Sequence, residues 1–282
     1  MVKADMKNGR IMPAVSCGNS ELGVEQMITE ITSTKNATYK YLKALQQKKT
    51  RMENGVYTVE GIKSVLDAVR AGKDVRAAAL ADSFPVPVEL SGVTVYRVSD
   101  NIFGGLCDTK TPQGILAVIG MEREEDFQPD RNGIYIYCDR VADPGNAGTI
   151  IRTADAAGMN GVLFSPESVD LYSPKTVRAS MGSFFHIHTA ADFNRDKLAA
   201  MRDRGYQMLC AVLSRDTVEY TAADYTKPTV IILGNEANGI SPETAALADV
   251  CVKIPILGAA ESLNVGIAGA VLMYEAVRQR KI

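Results

Sequence analysis

The sequence predicts an α/β protein of two domains, and three observations carry that expectation. Its 282 residues exceed what one small core organises and suit two domains of ordinary size. Short apolar, β-branched runs alternate with helix-patterned segments along most of the chain, as in a mostly parallel sheet covered by helices on both faces. One charged stretch containing Pro129 interrupts the alternation and marks a linker at residues 122–132.

Residues 1–24 hold Gly, Pro, Asn and Ser without periodicity and are expected to form an N-terminal extension. Residues 25–121 read as a small α/β domain. It comprises a helical stretch with Tyr41, Leu42 and Leu45, a strand Val56–Val59, a helix Ile62–Ala71, and apolar runs at Ala77–Ala81, Val93–Val98 and Ile115–Ile119. Residues 133–282 form the second domain, with strands expected at Gly133–Cys138, Gly161–Phe164, Phe184–His188, Gln207–Val212, Val230–Leu233 and Val250–Ile254. Helices are expected at Thr149–Ala157, Asp192–Arg204, Ser241–Ala248 and Ser262–Arg280. The last carries a stripe of Leu263, Ile267, Ala270, Tyr274 and Val277, yet Val265, Leu272, Met273 and Ala276 make its other faces apolar too, so it is buried on more than one side. A homodimer contact is one way to arrange that burial.

Bulk properties exclude several classes. A hydrophobic share of 46% with 23% charged residues is that of a globular chain and argues against disorder. There is no long apolar run, and Met1 to Arg10 is too polar for a leader, so a cytoplasmic location without membrane association is expected. Cys17, Cys107, Cys138, Cys210 and Cys251 are odd in number and widely spaced, which suits reduced thiols and neither zinc nor a redox pair. His186 and His188 have no carboxylate at ligand spacing and read as structural or surface residues, so no metal is expected. A net charge of −2 argues against a protein that coats nucleic acid without specificity. Local clusters still form at Lys40, Lys43, Lys48, Lys49 and Arg51 and at Lys175 and Arg178, read either as RNA-contacting patches or as solvated faces.

Three loops at the expected carboxyl ends of strands are candidates for chemistry, since open α/β sheets place ligands there. In Asp139–Ala154, Pro144 and Gly145 set a turn, Asn146 offers both halves of its amide, Gly148 permits close approach of the backbone, and Arg152 adds a planar cation one turn into the helix. In Ile231–Pro242, Gly234 suits a backbone lying against a ligand, Glu236 can anchor the loop or meet Arg152, and Ser241-Pro242 reads as a helix cap. The third runs from Val252 through Ile254-Pro255-Ile256 to Glu261-Ser262-Leu263-Asn264-Val265, where Ser262 reads as the cap of the last helix and Asn264 as a first-turn residue. Neither a dinucleotide G-x-G-x-x-G nor a G-x-x-x-x-G-K-[ST] phosphate loop is present, which disfavours a Rossmann cofactor enzyme and a nucleotide hydrolase.

In this order the trio Asn146/Gly148/Arg152, Leu233–Ile240 and Ile254-Pro-Ile with Glu261–Val265 resembles the SpoU (TrmH) family of RNA ribose 2′-O-methyltransferases, over about residues 133–282. The basic helix ending near Arg51 and Val59–Val65 are similar to the ribosomal-protein-like substrate-binding domain that precedes the catalytic domain in ribosomal-RNA members. The resemblance implies a trefoil-knotted catalytic domain, a homodimer and S-adenosylmethionine as cofactor. It implies Arg152 as central catalytic residue arranged by Asn146, Glu236 and Ser262, and cofactor binding by Gly234, Asn235, Ile254, Ile256, Leu263 and Asn264. It further implies RNA contacts from Lys43, Arg51, Lys175, Arg178 and Ser180. Ribosomal RNA is the substrate it favours; a transfer-RNA methyltransferase and an inactive RNA-binding module are the alternatives.

Overall fold

In a computed structural model of the protein, the described residues are 28–122, 127–212 and 217–280; the N-terminal extension expected at 1–24 lies outside them. They divide into two units. One runs to Glu122 and includes Tyr172–Pro174; the other holds the remainder from beyond Glu122 to the end.

The first unit is built on β1 (Ile28–Ile31), β2 (Val56–Glu60), β3 (Val75–Ala81), β4 (Thr94–Val98) and β5 (Ile115–Gly120), in the sheet order β1-β4-β3-β5-β2. β1, β3 and β4 are parallel, while β5 runs antiparallel to β2 and β3. Around it lie α1 (Ala37–Ala44), α2 (Lys48–Asn54), α3 (Ile62–Arg70) and α4 (Asp100–Phe103). The cause of α1's start is explicit: Asn36 Oδ1 accepts from the amides of Thr38 and Tyr39, satisfying donors that a helix start leaves unpaired. Tyr39 and Leu42 then enter a core with Ile31, Leu45, Tyr96, Leu116 and Val118.

The second unit contains β6 (Ile134–Cys138), α5 (Pro144–Ala156), β7 (Gly161–Phe164), α6 (Pro174–Ala179), β8 (His188–Ala190), α7 (Arg195–Asp203), β9 (Gln207–Ala211), β10 (Val218–Glu219), β11 (Thr229–Leu233), α8 (Pro242–Ala245), β12 (Val250–Lys253) and α9 (Val265–Arg280). Its sheet order is β10-β12-β9-β11-β6-β7-β8, and every pairing is parallel. Strands of five residues occupy the centre (β9, β11, β6), four-residue β12 and β7 flank them, and two-residue β10 and three-residue β8 close the edges. β6, β7 and β11 are buried along their whole length, which is why their sequences are unbroken apolar runs and not alternating ones. α5 packs on α9. α9 also packs on β11, so closely that a Cβ at Gly269 would stand 2.7 Å from a methyl of Leu233.

Three expected elements differ. Phe184–His188 is not a strand: Ser183–Phe185 is a 3₁₀ turn and β8 begins at His188. Met181 (φ 53°) and Gly182 (φ 98°) lead in with a left-handed turn, and two consecutive buried phenylalanines fit a coil better than an alternating strand. α5 starts at Pro144, earlier than Thr149, because Asp143 accepts from the Asn146 amide at 2.8 Å and proline fits the first turn. α9 starts at Val265 and not at Ser262, because the residue that takes its free amides is Asn264. The four described cysteines are free thiols, with Cys138 and Cys210 fully buried.

Candidate active site

The carboxyl ends of β6 and β11 and the start of α9 bring the three loops together through one chain of side-chain hydrogen bonds. Glu236 lies in the turn after β11. Its carboxylate accepts from the amides of Ala142 and Asp143, both at 3.2 Å, and from Asn146 Nδ2 at 2.8 Å. Asn146 Oδ1 in turn accepts from Asn264 Nδ2 at 2.8 Å, and Asn264 Oδ1 accepts from the amides of Gly266 and Ile267 at 2.9 and 3.2 Å. A carboxylate can only accept and a backbone amide can only donate, so both ends of the chain dictate its direction. Each asparagine therefore has one allowed amide orientation.

Burial pushes the Glu236 carboxyl up, yet the hydrogen bonds from Asn146, Ala142 and Asp143 outweigh it and hold the group below the usual carboxylate range. Glu236 is thus a fixed anion at the junction of the first and second loops.

Gly148 and Gly234 are each forced by a close approach. A Cβ at Gly148 would stand 2.3 Å from Ala179 Cβ and 2.8 Å from the Ser180 nitrogen, so α5 and the end of α6 meet backbone against helix. A Cβ at Gly234 would stand 2.3 Å from the Gly239 carbonyl carbon and 2.4 Å from the Ile240 nitrogen, because the loop doubles back, with Asn235 and Gly239 exchanging backbone hydrogen bonds at 2.9 Å. Arg152 projects from α5 one turn beyond Gly148; it is exposed and makes no hydrogen bond or ion pair with any described residue.

Asn235 Nδ2 donates to the Arg140 carbonyl of the first loop at 2.7 Å, while its Oδ1 accepts from the amides of Ala237 and Asn238 in its own loop. Ile254 and Ile256 are half-buried in the connection from β12 to α9, where Leu257 is 98% exposed and Leu263 38%. Ser262 is exposed and makes no hydrogen bond with a described residue, so the structure does not join it to Asn146, Glu236 or Arg152. Lys43 and Lys175 are exposed and Arg178 half-buried.

Two expected RNA contacts are corrected by burial. Arg51 is 2% exposed, and its guanidinium donates to the carbonyls of Leu45 and Gln46, both at 2.8 Å. It closes the turn between α1 and α2, whose last carbonyls need a donor, and faces no open surface. Ser180 is wholly buried with its hydroxyl donating to the Val177 carbonyl at 2.7 Å, which terminates α6. Of the two histidines, His186 ends the 3₁₀ turn while the His188 ring stacks on Phe127 at 4.5 Å.

Sequence reading missed Asp139 and Arg140, which lie behind the loop after β11. The available signal was a carboxylate directly ending a wholly apolar strand.

The model of the SpoU rRNA methylase family matches residues 133–274, and that of the MRM3-like substrate binding domain matches 36–117. The chain is 33% identical over 246 residues to the 23S rRNA (guanosine(2553)-2′-O)-methyltransferase RlmP of Bacillus subtilis, covering 87% of this chain and 98% of that protein. It is 36% identical over 154 residues to the tRNA (guanosine(18)-2′-O)-methyltransferase of Escherichia coli, covering 55% of this chain and 66% of that one. Among solved structures it is similar to an AdoMet-bound rRNA methyltransferase from Sinorhizobium meliloti, with a TM-score of 0.79 and 35% identity, covering 89% of this chain and 98% of that one.

Proposed function

This chain belongs to the SpoU rRNA methylase family and is an S-adenosylmethionine-dependent RNA ribose 2′-O-methyltransferase, and we propose that its substrate is ribosomal RNA, methylated at an active site centred on Arg152. The observation that carries the reading is the Glu236–Asn146–Asn264 chain, which ties all three sequence motifs together at the first turn of the helix that also carries the exposed Arg152. The ribosomal assignment is supported by coverage. The relative named for 23S rRNA aligns across both units, whereas the one named for tRNA aligns over about half of this chain.

The cofactor would be held by residues of the second and third loops. Half-buried Ile254 and Ile256 and exposed Leu263 offer apolar surface for a nucleoside, and the turn at Gly234 and Asn235 and the side chain of Asn264 offer polar groups. When bound, S-adenosylmethionine supplies an electrophilic methyl group on a sulfonium whose departure leaves a neutral thioether, so no metal is called for. Arg152 stays protonated, since a guanidinium does not release its proton in a protein. Its role is to hold the RNA phosphate and to donate to the alkoxide charge that grows on the ribose oxygen. Asn146 and Glu236 act one step behind, fixing the first turn of the helix that carries Arg152. Lys175, Arg178 and Lys43 supply cations toward phosphate. Residues 25–121 serve as the substrate-binding domain, 122–132 as linker and 133–282 as a trefoil-knotted catalytic domain. A homodimer in the cytoplasm belongs to the same proposal.

Purified protein is given S-adenosylmethionine with a labelled methyl and total RNA, and the product is mapped by nuclease digestion. Label on one ribose 2′-oxygen of ribosomal RNA is expected. Replacing Arg152 with Ala is expected to lower turnover at least about a hundredfold, the scale of one lost preorganised donor; equal turnover would displace Arg152 from the centre.

A further inference from the structure

Two residues that open the first loop, and to which the sequence reading gave no role, hold the loop after β11 at four separate points. Asp139 is 3% exposed at the end of β6. Its amide donates to the Leu233 carbonyl at 2.8 Å, just before the loop, and its Oδ2 accepts from the Ser241 amide at 2.6 Å, just after it. The Arg140 carbonyl accepts from Asn235 Nδ2 at 2.7 Å, and the Arg140 guanidinium donates from Nη2 to the Gly239 carbonyl at 3.4 Å. The two side chains also pair, with Arg140 Nε 3.7 Å from Asp139 Oδ1.

Glu236, bonded to Ala142, Asp143 and Asn146, and the backbone pair of Asn235 and Gly239 hold the loop's tip, while its two ends rest on Asp139 and Arg140. Glu236 to Gly239 are exposed, and α8 beyond them is a single turn. Arg140 is one of three described non-glycine residues with positive φ, at 59°. An arginine keeps that conformation only where surrounding bonds enforce it, and such positions concentrate at functional sites. Here the left-handed turn is stabilised by the Arg140 amide donating to Ser165 Oγ at 2.9 Å, and it aims the carbonyl at Asn235.

We propose that Asp139 and Arg140 are positioning residues that preset the Gly234–Ile240 loop for S-adenosylmethionine, an inference that rests on the cofactor assignment above. None of these bonds reaches α5, the helix that carries Arg152. Losing them costs the protein cofactor affinity and leaves RNA recognition in place.

The test uses full-length protein in three variants: Asp139→Ala, Asp139→Asn and Arg140→Gly. Cofactor affinity is read by calorimetry and the KM for each substrate by methyl transfer, alongside thermal melting. Asp139→Ala is expected to weaken S-adenosylmethionine about tenfold or more, the scale of a lost hydrogen bond to a buried charged acceptor, with KM for RNA unchanged. Asp139→Asn keeps an oxygen for the Ser241 amide and is expected to recover most of the affinity. Arg140→Gly accepts the left-handed turn without strain and removes the whole side chain while keeping the carbonyl that accepts from Asn235; a several-fold weakening of cofactor with intact melting is expected, and this variant decides the matter if Asp139→Ala does not fold. Unchanged cofactor affinity in folded variants, or equal losses toward cofactor and RNA, would overturn the proposal. Wild-type protein that binds no S-adenosylmethionine would instead overturn the cofactor assignment itself.

Discussion

Gly148 and Gly234 were both legible as positions of close backbone approach, Gly148 at the start of a helix and Gly234 against a ligand. In the structure the approaching atoms belong to the chain itself, Ala179 and Ser180 in one case and Gly239 and Ile240 in the other. Gly148→Ala is therefore expected to destabilise the folded protein by about 1–3 kcal/mol through overpacking, read as a lower urea midpoint, and to cut methyl transfer because Arg152 sits one turn along the displaced helix. A variant with an unaltered midpoint would show that α6 can retreat at no cost. Arg51 and Ser180 mark the limit of legibility at this scale. A charged or hydroxylated side chain reads as surface until the carbonyls of Leu45, Gln46 and Val177 are seen to claim it.

Among elements, α9 had the plainest helical signal and yet an ambiguous start, since Ser262 and Asn264 are both good caps two positions apart. The structure chooses Asn264, whose side chain serves the helix with its oxygen and Asn146 with its nitrogen. The two duties separate by substitution. Asn264→Ala is expected to cost about 1 kcal/mol of stability through the lost cap. Asn264→Asp keeps an acceptor for the helix amides but cannot donate to Asn146, so melting is expected to hold while turnover falls several-fold; parallel changes in both would mean the Asn146 bond does nothing for the reaction. Elements buried on both faces, such as β6, β7 and β11, were readable as unbroken apolar runs. The Phe184–His188 segment was not, because the same run of apolar residues suits a buried turn, and the left-handed Met181 that decides it has no composition signal.

For the molecule as a whole, two domains and a parallel sheet followed from the alternation of elements, whereas the strand order did not. Sequence adjacency cannot tell which crossover returns to which edge, and the order β10-β12-β9-β11-β6-β7-β8 is set by packing over long separations. Acid stability belongs to this scale. In Asp249 burial raises the carboxyl, but bonds from the Met208 amide and Arg202 prevail; in Glu275 the hydrogen bond from Arg278 leads, against burial. With Glu236, all three have folded pKa values below their ordinary ones, so the folded state favours their ionised forms. Their contribution is whole above the ordinary values, 3.8 for Asp249 and 4.5 for the glutamates, and is lost as pH falls through the lowered ones. A melting temperature that drops below about pH 4.5 is expected, with a shallower drop in Glu236→Gln; identical profiles would remove Glu236 from the account. The proposed homodimer is tested by sedimentation: Ile267 and Tyr274 on α9 are each 52% exposed, and changing either to Glu is expected to release monomer if wild type sediments as a dimer.

The tapering of the seven-stranded sheet has a consequence for behaviour in concentrated solution. A sheet edge is a row of unsatisfied amides and carbonyls able to recruit a strand from another molecule, and the hazard grows with its length. Here the two outermost strands span two and three residues, so the longest and most apolar strands never lie at a border. The catalytic half can carry a core of continuous β-branched runs, sequences that would polymerise if left uncovered, because its margins are too brief to serve as a template.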